Sequence, residues 1–184
     1  MKNMTQNFTS FETAIGAIAI AWTDKGVCWL QLPEASETKT VSLLKKKLPQ
    51  ASKAEPTVII QRAIKLLQLH LSGTNQDFRG IPLDLSQCTE FSRQVYEATR
   101  KVLAGQVVTY ADIANQIGQT SATRAVGRAL GSNPVAIIVP CHRVIGKGGN
   151  MTGFSAFGGC DTKVRLLSIE RALGSDKVSL NSLS

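Results

Sequence analysis

The sequence predicts an α+β protein in two parts: an N-terminal domain over 1–86 with a small antiparallel sheet and helices, and a mostly helical C-terminal domain over 87–174 that contains a helix-turn-helix. Three observations predict it. Apolar residues over 15–22 and 27–32 flank Thr23-Asp24-Lys25-Gly26, the pattern of two strands joined by a turn. Beyond residue 87 the apolar spacing turns helical, and two short helical segments there are separated by a tight Gly-containing turn. With 43% hydrophobic residues, the 184-residue chain has enough apolar material for one good core, or for one core and a small second domain.

After the hairpin, a helix is expected over 36–48, stopped by Pro49, and a second from Pro56 through Ile60, Ile64, Leu67 and Leu71 to Gly73. His70 lies on the second and is expected at the surface or its boundary. Gly80, Pro82 and mixed polarity mark 74–87 as a linker. Thr89 then caps a helix carrying Phe91, Val95, Tyr96, Val102 and Leu103 and ending at Gly105. Thr109-Tyr110-Ala111-Asp112 has capping-box spacing and starts a short helix that stops at Gly118. The next helix spans 121–130 and is closed by Gly131. In such a pair the second helix usually contacts DNA. The uncharged run 135–139 reads as a buried strand, a C-terminal helix starts with Asp161 near its N-cap, and the polar stretch 175–184 reads as a flexible tail.

Charge narrows the function classes. The 21 Lys and Arg against 13 Asp and Glu give a net charge of +8, which suits a polyanionic partner, either nucleic acid or an anionic membrane. No run approaches the roughly 20 apolar residues of a membrane span, so a soluble cytoplasmic protein is expected and DNA becomes the better partner. The four cysteines, Cys28, Cys88, Cys141 and Cys160, form no C-x-x-C pair, and free thiols are expected. With only His70 and His142 available, no metal site and no cofactor are expected.

The basic excess is local. No acidic residue occurs from Ile113 to Cys160, whereas Arg124, Arg128, Arg143 and Lys147 do. Arg124 and Arg128 share one helical face, with Ala122, Ala125 and Ala129 keeping the surface low for close approach. That face suits a phosphate or groove contact, and the alternative is a solvated basic face. In Pro140-Cys141-His142-Arg143 a thiol stands beside an imidazole and a guanidinium, and cationic neighbours favour the thiolate. Adjacent strand residues point to opposite faces, so Cys141 and His142 cooperate only if a turn redirects one or a water bridges them. Otherwise Cys141 is a buried structural thiol. Glu170 falls on the inward face of the last helix, where a carboxylate needs a partner. His142 is one candidate and Lys163, two turns back, the other.

Taken together, Val108-Thr109-Tyr110, Ile113-Ala114, Thr123-Arg124-Ala125-Val126-Gly127, Asn133-Pro134, the run from Ile138 through Pro140-Cys141-His142-Arg143 to Ile145, Gly153-Phe154, and Leu166-Leu167 followed by Glu170 resemble the methylated-DNA-protein-cysteine methyltransferases, the O6-alkylguanine-DNA alkyltransferases. The resemblance runs from Phe91 to Glu170, and more weakly over 15–32 and 82–85. It implies a ribonuclease-H-like N-terminal domain, a winged-helix-like C-terminal domain, and a monomer that binds double-stranded DNA containing alkylated guanine through the minor groove and rotates the lesion out of the stack. Cys141 would take the alkyl group once and irreversibly, with His142, a water and Glu170 removing its proton. Arg124 would fill the vacated space, with Arg128 on the same DNA-facing side. Tyr110 would displace the nucleotide and polarise guanine, and Asn133 would be the hinge after the recognition helix. Backbone groups near Cys141, Val144 and Ser155 would hold guanine edges, with Phe154 and Leu130 as apolar walls. The sequence departs from the family in three places: Phe154 replaces a frequent Tyr, the 155–161 stretch is about two residues longer, and Cys28 lacks the companions of the zinc site some relatives carry.

Overall fold

The computed structural model describes residues 5–151 and 159–172. The chain divides into two compact units, one made of 1–89 with 134–138 and the other of 90–133 with 139–184.

In the first unit β1 (Asn7–Phe11), β2 (Ile18–Thr23) and β3 (Gly26–Gln31) are antiparallel neighbours, and β4 (Ser52–Lys53) pairs with β1 in parallel. The sheet, ordered β3-β2-β1-β4, is therefore mixed rather than purely antiparallel as expected. Two residues make too short a run to show strand alternation, so β4 escaped the sequence pattern. All six residues of β2 are buried, as in a central strand covered on both faces. Ala19 and Ala21 share a cluster with Phe8, Ala51 and Leu44 of α1 (Glu37–Lys47), so by alternation Ile18 and Ile20 face the opposite side. Ser36 caps α1 by accepting the Lys39 N–H at 3.2 Å, and three lysines occupy its last turn, where cations suit the helix dipole.

Helix α2 (Val58–Leu71) buries Ile60, Ala63, Leu67 and Leu71. His70 is also wholly buried, against expectation, because the chain after the helix folds over it. Its Nδ1 accepts the Gln76 N–H at 3.1 Å, and its ring meets Phe78 edge-on at 5.2 Å. Two irregular segments cover the outer edge of β3 and leave fewer strand groups open to foreign pairing. Val27 donates to Pro82 C=O and Leu30 to Pro134 C=O, at 2.9 and 2.8 Å. Gly26 is required at this approach. Its φ is +143°, and a Cβ there would lie 2.3 Å from the Pro82 oxygen.

The expected strand over 135–139 is not a regular strand. Val135 makes one bridge to Leu30, and Ile137 then turns the chain at φ 72°. The run is nevertheless buried apart from half-buried Ala136, which is why its composition reads as a strand.

In the second unit α3 (Glu90–Arg100) ends before Val102 and Leu103, which follow it in the loop. The Tyr96 hydroxyl of α3 donates to Ala129 C=O at 2.8 Å in α5 (Thr123–Gly131). Strand β5 (Val108–Thr109) leads directly into α4 (Tyr110–Gln116). Here the capping box forms as the spacing predicts: Thr109 Oγ1 accepts the Asp112 N–H at 3.1 Å, and Asp112 Oδ2 accepts the Thr109 N–H at 2.8 Å. Those bonds hold the Asp112 carboxyl below its usual range despite slight burial. Helix α5 starts two residues later than expected. A two-residue strand, β6 (Val144–Ile145), pairs in parallel with β5, and α6 (Gly159–Ile169) begins two residues before Asp161. Among the described residues no helix is long and apolar enough to cross a membrane.

Candidate active site

The turn that Cys141 and His142 need is present. Pro140, at φ −80° and ψ 64°, makes an inverse γ-turn in which the Cys141 N–H donates to Val139 C=O at 2.8 Å. Cys141–Arg143 then forms a single 3-10 turn, closed by the Arg143 N–H on Pro140 C=O at 2.9 Å. Adjacent side chains consequently do not point to opposite faces as they would in a strand. Asn133, just beyond α5, donates Nδ2 to the same Val139 carbonyl at 2.8 Å and also hydrogen-bonds Cys141. Its side chain therefore ties the end of α5 to the thiol.

Glu170 is brought to His142, with Nε2 and Oε1 2.8 Å apart and both side chains fully buried. It is not a helical residue but the cap of α6. The Arg171 N–H bonds Ser168 C=O at 3.0 Å and the Ala172 N–H bonds Leu167 C=O at 2.9 Å, with Arg171 at φ 57°. This is the Schellman pattern, and it fixes the direction from which Glu170 enters. With the imidazole donating Nε2–H to the carboxylate, Nδ1 becomes its acceptor, the state a base requires. That hydrogen position is inferred from the bonding pattern.

Arg143 was missed as a member of this set. Its Nε donates to Glu170 Oε2 at 2.9 Å, Nη2 to Oε1 at 2.8 Å, and Nη1 to Val102 C=O at 2.5 Å. The sequence places a guanidinium two residues from the thiol and so suggests that it favours the thiolate. The structure commits it to Glu170 instead. Burial pushes the Cys141 thiol up from its ordinary value, and the opposing influences of Asn133, Lys163 and local backbone N–H groups do not cancel it. Burial thus favours the neutral thiol over the thiolate at Cys141.

Lys163, the alternative partner that the sequence offers for Glu170, bonds the Val144 carbonyl, with Nζ donating at 2.7 Å. It is fully buried and lies 5.8 Å from the centre of the Tyr110 ring. Burial lowers its ammonium, while Cys141 and Cys160 act in the other direction. Tyr110 is half-buried, and a Cβ on Gly127 would come within 3.9 Å of its ring. The β5–β6 pairing accounts for this placement, since it sets the residue after Thr109 beside the chain that leaves Cys141. Val144 is buried with its carbonyl held by Lys163, and Leu130 is buried in α5. Arg124 and Arg128 are exposed on α5, opposite buried Val126, Ala129 and Leu130. Phe154 and Ser155 lie outside the described residues. The Cys28 thiol is pushed up to about 12 by burial and Asp84, which removes it as a nucleophile at neutral pH. Among the described residues no group of three or more His, Cys, Asp or Glu could hold a metal ion.

The second unit thus defines a class: a helix-turn-helix protein with a buried thiol next to an imidazole–carboxylate pair. The DNA-binding-domain model of the 6-O-methylguanine DNA methyltransferases matches residues 90–172. The methylated-DNA-protein-cysteine methyltransferase of Methanosarcina acetivorans is 34% identical over 89% of this chain and 97% of its own length. That of Mycolicibacterium paratuberculosis is 46% identical over 59% of this chain, an alignment spanning 64% of that relative, which is under two thirds of it. Mycobacterium tuberculosis OGT, solved in complex with DNA, is similar at a TM-score of 0.73 and 32% identity, covering 90% of this chain and 93% of that one. The chain belongs to the methylated-DNA-protein-cysteine methyltransferase family.

Proposed function

We propose that this protein repairs DNA by direct reversal, moving an alkyl group from the O6 oxygen of guanine in double-stranded DNA onto its own Cys141. The observation that carries the reading is the buried Cys141 on a 3-10 turn whose next residue, His142, is bonded to Glu170 at 2.8 Å. Cys141 is only 7% exposed, so a base inside a duplex cannot meet it, and the lesion must leave the stack and enter the protein. Exposed Arg124 and Arg128 present the cationic face for the duplex, in the minor groove, with Arg124 occupying the vacated space. Tyr110 and Asn133 border the thiol, and buried Leu130 and Val144 supply apolar walls of the base pocket.

In the transfer the thiol proton passes through a water to His142, and the sulfur attacks the alkyl carbon in line. The C–S bond forms as the C–O bond breaks, and the electron pair leaves on guanine. A thioether has no leaving group comparable to guanine, so each molecule acts once. The chain works as a cytoplasmic monomer, in keeping with its free thiols. O4-alkylthymine presents the same alkyl–oxygen bond and is a second substrate of this chemistry.

Incubation with an oligonucleotide carrying O6-methylguanine tests the proposal. The intact protein is expected to gain one methylene. Tight binding with no gain points instead to a protein that marks the lesion without repairing it.

A further inference from the structure

We propose that Arg143 is a positioning residue for the transfer: its guanidinium fork holds Glu170 in one orientation and as an anion, so that His142 keeps its proton on Nε2 and offers Nδ1 as the base. The inference rests on the Cys141–His142–Glu170 relay proposed above and adds the residue that sets the relay's direction.

His142 and Arg143 both bond the Glu170 carboxylate, using its two oxygens. His142 and Arg143 Nη2 share Oε1, each at 2.8 Å, and Arg143 Nε takes Oε2 at 2.9 Å. A carboxylate with only the imidazole would be free to rotate and to exchange which oxygen faces the ring. The bidentate fork removes that freedom, because two parallel N–H donors fix the carboxylate plane. The fork is itself fixed by Nη1, which donates to Val102 C=O in the loop after α3. Arg143 is 5% exposed and Glu170 2%, so water does not compete for these bonds.

The charge matters as much as the geometry. A proton leaving Cys141 must stop at the imidazole for His142 to act as the base. Were the carboxyl to hold its own proton, it would become a donor toward the ring, and the imidazole would carry its hydrogen on Nδ1. Two guanidinium donors aimed at one carboxyl group favour the anion and so favour the tautomer with Nδ1 open. The same commitment explains why Arg143 sits beside the reactive residue pair without serving the thiol directly. Lysine cannot replace it, since a single ammonium does not span both oxygens and Val102 C=O.

The test compares wild type, R143K, E170Q and the double variant in single-turnover transfer from free O6-benzylguanine, a substrate that needs no DNA. R143K is expected to transfer at least about tenfold more slowly. On the E170Q background R143K is expected to add less than about threefold, because Arg143 acts through Glu170. Nitrogen-15 spectra of His142 supply a readout that loss of packing alone would not move: one Nε2–H tautomer in wild type and a mixture in R143K. Wild-type rate with an unchanged tautomer in R143K, or two losses that simply multiply, overturns the proposal. Should R143K fold poorly, the wild-type spectrum still decides, since a ring protonated on Nδ1 contradicts the assignment. Mapping the benzyl group in wild type separates the two ideas, because a label on any residue but Cys141 overturns the relay itself.

Discussion

At Cys141 two influences oppose each other, and burial is the larger. The side chain was singled out because a thiol, an imidazole and a guanidinium are consecutive, which suggests activation by nearby cations. In the proposed relay its activation comes from His142 as a base, and the Lys163 ammonium lowers the thiol from within the same unit. Removing that charge favours the neutral thiol, so K163M should raise the thiol further and leave less thiolate at any given pH. The alkylation of Cys141 by iodoacetamide is accordingly expected to shift to higher pH and to run about tenfold slower near neutrality. A superimposable pH profile would mean that Lys163 serves only the Val144 carbonyl. The sequence singles out Arg143 and Lys163 but not what they bond, because their contacts with Glu170 and Val144 exist only once the chain has folded.

Among the elements, α6 and the helix-turn-helix behave differently under substitution. The cap of α6 places Arg171 in the left-handed region, where a side chain costs about 1 kcal/mol relative to glycine. R171G should therefore raise Tm by about 2–4 °C and leave transfer to free O6-benzylguanine unchanged, as read by calorimetry and single-turnover kinetics. A lower Tm would show that the exposed Arg171 side chain stabilises the fold by more than its backbone strain costs. Helix α5 presents Arg124 outward, and the role proposed for it belongs to the duplex alone. R124A should slow transfer from methylated duplex by about tenfold or more while sparing the free base, because only the duplex requires extrusion. Equal losses on both substrates would remove Arg124 from that step. The capping box of α4 was legible because its two residues are three apart in sequence and need nothing else. The cap of α6 was not, since it lacks the glycine that usually announces one.

Across the whole molecule, what the sequence made visible was local: the hairpin of β2 and β3, helix α1 and its stop before Pro49, the capping box of α4, and the paired short helices. What it hid depends on distant partners. The parallel β4 exists because β1 is there to receive it, His70 is buried because 74–78 folds over it, and 134–138 bends rather than extends because it closes the edge of β3. The relay lies between these cases. Helical periodicity places Glu170 inward with His142 and Lys163 as its candidate partners, yet the guanidinium that completes the set is evident only in the folded structure. The proposed relay acts on Cys141, and the most direct measurement is site-resolved mass spectrometry after exposure to excess O6-methylguanine duplex. One methylene on the peptide containing Cys141, saturating at one per molecule and absent from C141S, is the expected result. A methyl group on another residue, continued turnover, or no transfer by correctly folded protein would contradict it.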